Sequence, residues 1–274
     1  MKDILSAPWM IEMTRTLDNM YRHGWDERNG GNVSMLLEKE QMADYPLENV
    51  LRTFPLGWDA SELIGKCFLV TGSGKYFKNA LTDPEGNLCV FRVADDGKTG
   101  ELLWGLRDGG RPTSELYAHL MTHAERLKLD PAHHIVMHCH PANLLAMTYV
   151  HPLDEKRFTH TLWEMCTECI VVFPDGVNVL PWMLCGTPEI GMATAEKMKT
   201  ARLVIWSQHG IYGAGRDLDE TFGLIETAEK AAEIYMKIAH LPRVNTLKDE
   251  EMQRLADFFR VTPRPGFLDL PKDS

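Results

Sequence analysis

The sequence predicts an α/β fold in layers. Short apolar runs of strand length alternate with longer stretches whose apolar residues recur at helical spacing. Hydrophobic residues make up 44% of the 274, enough for a sizeable core, and charged residues 25%, the ordinary share for a globular chain. There is no internal repeat or low-complexity linker. The most polar stretches, near 38–62 and 94–100, are too short to separate domains, so residues 1–274 read as one domain.

In chain order, Trp9, Met13, Leu17, Met20 and Tyr21 share one face of a helix over 8–23, which Gly24 is placed to end. Cys67–Val70 is a strand running into Thr71-Gly72-Ser73-Gly74-Lys75. Pro112-Thr113-Ser114 opens a helix whose apolar stripe is Leu116, Leu120, Ala124 and Leu127. Ile135–Met137 is a strand leading into His138, and Leu203–Trp206 is another. Cys169–Phe173, apolar and β-branched, also reads as a strand, with Glu168 a solvent-facing charge at its start. Thr187-Pro188 begins a helix with proline at the first helical position. Residues 219–239 form the longest helix and 247–260 a further one; a loose tail is expected from Pro263. Spacing alone does not order the strands.

The net charge of −10 argues against a general affinity for nucleic acid or an anionic membrane, which needs a basic face. No secretory signal is expected, because no apolar h-region with a small-residue cleavage site follows Met1–Ser6, and no membrane span, because no stretch approaches ~20 consecutive apolar residues. The six cysteines (67, 89, 139, 166, 169 and 185) sit in apolar contexts and read as reduced core thiols. A cytoplasmic location is expected.

The chemistry-bearing pattern is His138-Cys139-His140. Residues two apart on a strand point to one face, so two imidazoles stand side by side at the end of an apolar strand. A third ligand must come from elsewhere. His209, just past one strand and just before Gly210, is the best candidate. Three neutral imidazoles with one position left open suit a catalytic divalent metal, Zn²⁺ first. His-x-His alone is a weak signal in a chain with eleven histidines. His119 and His123 share a helix face and are next in line, but Leu120 breaks the His-Glu-x-x-His protease pattern, so they read as ordinary surface or core residues. Cys166-x-x-Cys169 lacks a second pair and reads as core.

Glu115 follows Thr113-Ser114 at a helix start. Taken alone, an acid there is accounted for by the helix dipole; the functional alternative is a carboxylate held beside a cation. Asn29-Gly30-Gly31-Asn32 and Thr71–Gly74 offer backbone N–H groups able to nest a phosphate, although neither is a Walker loop and a tight turn explains each separately. The hydroxyls of Thr113 and Ser114 add to an anion-binding helix N-terminus.

Taken together and in this order, Asn29–Asn32, Thr71–Lys75, Thr113-Ser114-Glu115, His138-Cys139-His140, His209-Gly210 and the helical stretch Glu226–Ala232 resemble the class II aldolase/adducin family of metal-dependent sugar-phosphate aldolases and epimerases. The resemblance runs from about Gly24 to about Ala239. Gly24–Asn32, Leu162–Cys169 and Phe173–Val177 narrow it to one branch. It implies a central, largely antiparallel sheet between helical layers, a homotetramer, and one Zn²⁺ per subunit on His138, His140 and His209. It also implies Glu115 as the acid/base and Glu168 as a second carboxylate reaching a neighbouring subunit's site. Asn29, Gly31, Asn32, Ser73, Gly74, Thr113 and Ser114 match positions that bind the phosphate and substrate. A non-catalytic relative, like the adducin head, is the rival from another class; the retained histidines and Glu115 argue against it.

Overall fold

Alternating side chains build a sheet buried on both faces in the computed structural model, which describes residues 1–270. The strands are β1 (Asn32–Leu37), β2 (Arg52–Pro55), β3 (Cys67–Thr71), β4 (Leu88–Val93), β5 (Thr99–Gly105), β6 (Ile135–Cys139), β7 (Val177–Leu180), β8 (Leu203–Trp206) and β9 (Gly210–Gly215). They lie in the order β2-β5-β4-β3-β1-β6-β9-β8-β7. Every neighbouring pair but the parallel β7 and β8 is antiparallel.

The period of two sends each strand's residues to opposite layers. Ile135, Met137, Leu203 and Ile205 join the core under the helices Pro8–Arg22, Glu155–Met165 and Leu218–Ile238. Val136, Val204 and Trp206 face the other way, toward Ala118 of the helix Leu116–Leu129 and Ile190 of the helix Pro188–Met198. Toward β2, Phe68, Val70 and Phe91 continue that second layer with Leu116 and Leu120. This is the largely antiparallel sheet between helices that the resemblance implied.

The expected helices stand at Pro8–Arg22, Leu116–Leu129, Pro188–Met198, Leu218–Ile238 (the longest) and Asp249–Phe259. Three expectations are corrected. Cys169–Val172 is a short helix, not a strand, and Glu168 is its N-cap. The β-branched run mimics a strand, but a single turn suffices to bury Cys169 and Ile170 against the long helix and its neighbours. Of the tail expected to be loose from Pro263, residues 263–270 are tied down and 271–274 lie outside the described residues: the Arg264 N–H donates to the Pro174 carbonyl at 2.8 Å, and its guanidinium donates to Asn178 Oδ1 at 2.7 Å and covers the Phe267 ring. Lastly, Cys67, Cys89, Cys139 and Cys169 are buried thiols as expected, but Cys166 is only half-buried and Cys185 is exposed. No helix among the described residues is long and apolar enough to cross a membrane.

Candidate metal centre and active site

His138 stands on β6 opposite Asn32 of β1 and Tyr212 of β9. Being two residues past Val136, it faces the layer of the helix Leu116–Leu129. His140 follows as β6 ends, its N–H donating to the Trp25 carbonyl at 2.8 Å. The next helix, Ala142–Val150, is capped from the long helix: Glu229 accepts from the N–H groups of Asn143 and Leu144 at 3.0 and 2.9 Å. His209 sits in the tight turn joining β8 to β9, its N–H donating to the Trp206 carbonyl at 3.0 Å, next to Gln208 in a left-handed conformation at φ 60°. Gly210 permits this convergence. A Cβ there would lie 2.3 Å from the Cys139 carbonyl oxygen and 2.8 Å from His140 Cδ2.

The ring protons are set by neighbours. His138 donates from Nδ1 to the Ile211 carbonyl at 3.0 Å, and His140 from Nδ1 to both Glu27 carboxylate oxygens at 3.0 and 3.1 Å. Both Nε2 atoms are therefore bare acceptors, and they face each other at 3.3 Å. Two lone pairs so placed repel unless a cation lies between them. Ligand atoms of His138, His140 and His209 all fall within 4.8 Å of one another. Burial holds His138 well below the usual imidazole range and pulls His209 down to about 4, so both are neutral. This donor set, with carbonyl and carboxylate partners behind the rings, fits a catalytic divalent metal.

Glu115 is the N-cap of the helix Leu116–Leu129, yet its side chain makes no capping bond. It turns inward instead. Oε2 accepts from Asn32 Nδ2 at 2.8 Å and from the Tyr212 hydroxyl at 3.1 Å, and the carboxylate lies 3.5 Å from His138 Nε2 and 4.0 Å from His209 Nε2. The helix-dipole account of this residue is thus incomplete. Burial raises the Glu115 pKa, partly offset by those two hydrogen bonds.

A cavity of about 130 Å³ opens on these groups. Asn29, Gly31 and Asn32 form one wall, Ser73 and Gly74 a second, Thr113 and Ser114 a third, with Glu115 and the three histidines at the floor. Backbone bonds tie the last two loops together: Ser73 N–H to the Arg111 carbonyl at 2.8 Å and Thr113 N–H to the Thr71 carbonyl at 2.9 Å. Every site residue expected from the sequence lines this one cavity except Glu168, which is exposed and accepts a bond from Cys166 Sγ at 2.8 Å. Lys75, the obvious lysine for covalent chemistry, is bonded to Asp108 and lines a separate pocket.

Sequence reasoning missed the groups behind the floor. Tyr212 and Glu27 carried no motif. His119 and His123 do have a shared task. Ser34 Oγ lies 2.7 Å from His119 Nδ1 and 2.8 Å from His123 Nε2, and His119 Nε2 bonds Asn32 Oδ1. Asn32 turns its amide N–H to Glu115, so its oxygen accepts from His119 Nε2–H. Nδ1 of His119 then accepts from Ser34, which accepts from His123. Burial keeps both rings neutral, His119 down to about 3. Their i, i+4 spacing was the available signal.

A family model described as Class II Aldolase and Adducin N-terminal domain matches residues 11–236. The chain belongs to the class II aldolase/adducin family. It is 56% identical over 270 residues to the rhamnulose-1-phosphate aldolase of Enterococcus faecalis, covering 97% of this chain and 96% of the relative. It is 54% identical over 269 residues to that of Listeria monocytogenes, covering 97% and 98%. Among solved structures, a sugar-phosphate aldolase from Thermotoga maritima superposes with a TM-score of 0.75 at 28% identity, over 86% of this chain and 97% of that one. An L-fuculose 1-phosphate aldolase shares the fold, with a TM-score of 0.62 at 20% identity over 93% and 97%.

Proposed function

We propose that this chain is a zinc-dependent aldolase that reversibly cleaves L-rhamnulose 1-phosphate to dihydroxyacetone phosphate and L-lactaldehyde, as a cytoplasmic homotetramer. The 56% identity to the Enterococcus faecalis enzyme, spanning nearly all of both chains, carries the substrate assignment. The geometry supports the chemistry. His138, His140 and His209 would hold the metal, and the bound ion would act as a Lewis acid toward the electron pair left beside the ketone when the carbon–carbon bond breaks.

The remaining work falls to this chain's side chains. Glu115 gives a proton to that carbon in cleavage and takes it in synthesis. Burial raises its pKa toward the working range of a general acid/base. Asn32 and Tyr212 hold one carboxylate oxygen, so the carboxyl presents the other to the cavity. Asn29, Gly31, Asn32, Ser73, Gly74, Thr113 and Ser114 grip the phosphate and neighbouring hydroxyls. That remote binding fixes the reacting carbons above the floor. Glu168 stays outside its own chain's cavity, so in the tetramer it would serve a neighbour's site, handling the hydroxyl proton of the departing aldehyde.

The test is release of dihydroxyacetone phosphate from L-rhamnulose 1-phosphate and, in parallel, from L-fuculose 1-phosphate, with chelator and then with zinc restored. Release from the rhamnulose ester, lost to chelator and recovered with zinc, is expected. Preference for the fuculose ester would keep the mechanism and overturn the substrate. Chelator-resistant cleavage would sink the three-histidine centre.

A further inference from the structure

The stretch from Trp25 to Asn32 serves two ends of the site at once. On the metal side, the Trp25 carbonyl accepts from the His140 N–H at 2.8 Å, and Glu27 accepts from His140 Nδ1 with both carboxylate oxygens, at 3.0 and 3.1 Å. The Glu27 side chain is 70% exposed and holds no other partner among the described residues. On the phosphate side, Asn29, Gly31 and Asn32 form one wall of the cavity. A single β-turn joins the two: the Gly30 N–H donates to the Glu27 carbonyl at 2.8 Å, with Arg28 in the left-handed region at φ 55°. The turn has no slack against the metal side. A Cβ on Gly30 would lie 2.9 Å from both Nδ1 and Cε1 of His140, and one on Gly31 would run into Asp26 Oδ1 and lie 3.0 Å from the His138 carbonyl oxygen.

A carboxylate behind an imidazole fixes which ring nitrogen keeps its proton, holds the ring's plane and strengthens the other nitrogen as a ligand. As a bare surface contact the pair would matter little. Here the ring belongs to a metal ligand, and the carboxylate belongs to the turn that carries Asn29. We infer that Glu27 is a positioning residue for His140 and that the turn Glu27–Gly30 links the metal and phosphate subsites, so that filling either one tightens the other. An anion gripped through Asn29 and Gly31 orders the turn, the ordered turn holds the Glu27 carboxylate on Nδ1, and the ring keeps Nε2 aimed at the ion. The same contacts run in reverse from ion to turn, and for binding the two effects are equal in size. This inference rests on the metal centre and the phosphate grip proposed above and adds the coupling between them.

The experiment measures the zinc affinity of the full-length protein by competition with a chromophoric chelator, with and without saturating inorganic phosphate, for the wild type, Glu27→Gln and Glu27→Ala. Glu27→Ala is expected to bind zinc about 10- to 100-fold more weakly. Glu27→Gln keeps an oxygen that accepts from Nδ1–H and should recover most of that loss. Phosphate should tighten zinc binding at least about fivefold in the wild type and in Glu27→Gln, and leave Glu27→Ala nearly unchanged. The side chain is mostly exposed, so the zinc-free forms of all three should melt together; a lower melting temperature in zinc-free Glu27→Ala would make the role one of folding and overturn the positioning. Unchanged zinc affinity in Glu27→Ala, or equal losses in the two variants, would overturn it as well. Coupling that survives in Glu27→Ala would assign it to direct attraction between anion and ion and overturn the link, as would no effect of phosphate on the wild type. Failure of the wild type to bind zinc at all would instead sink the histidine centre beneath the inference.

Discussion

At the scale of single residues, the site turns on where each side chain spends its hydrogen bonds. Glu115 forgoes the cap its position offers and is held instead by Asn32 and Tyr212, 3.5 Å from His138 Nε2. Glu115→Ala should keep its zinc and lose roughly 10²- to 10⁴-fold in turnover, the usual worth of a positioned acid/base; near-normal turnover would remove it from that role. His209→Ala should lose zinc, measured by elemental analysis after gel filtration. Full retention would make another group the third ligand.

At the scale of elements, two strand ends and one helix start are brought together by backbone proximity that only glycine allows. At Gly210 an added methyl would meet the Cys139 carbonyl at 2.3 Å and the His140 ring at 2.8 Å, both on the neighbouring strand and its end. Gly210→Ala should therefore lower stability by about 1–3 kcal/mol, as overpacking does, and weaken zinc binding at the same time. An unchanged denaturant midpoint with unchanged zinc content would show that β6 and β9 absorb the methyl. The short helix Cys169–Val172 belongs to this scale too. Its four residues satisfy strand composition and one helical turn equally well, and tertiary packing against the long helix decides between them.

At the scale of the whole molecule, stability and assembly carry the testable consequences. Asp26 is buried with neither carboxylate oxygen hydrogen-bonded among the described residues, and burial, with the charge of Glu27 second, raises its pKa well above 3.8. The folded protein therefore binds a proton there that the unfolded chain gives up. That contribution is fully present below about 3.8 and is lost as pH rises through the higher folded value. Asp26→Asn, which carries no charge at any pH, should gain stability relative to the wild type as pH rises over that window. Parallel pH profiles of the two denaturant midpoints would contradict this. For the proposed tetramer, Glu168→Ala should retain zinc but lose turnover, and mixed assemblies of Glu168→Ala with Glu115→Ala subunits should regain part of it. No recovery in mixtures would confine Glu168 to a role other than serving a neighbour.

Legible in the residues alone is what lies within a few positions along the chain. The i, i+2 rule put His138 and His140 on one face, helical stripes marked the helices that flank the sheet, and motif order pointed to the family. Glycine-rich β9, with buried Gly210 and Gly213, and the short β2 and β7 carry no such local signature, and neither do β1, β4 and β5 stand out. The tertiary structure alone decided which distant pieces meet. Strand register sets Asn32 and Tyr212 on either side of His138, and the β8–β9 turn swings His209 to 4.0 Å from Glu115. The physical reason is that side-chain direction follows from local backbone period, whereas distance between strands follows from packing and register, which no single segment encodes.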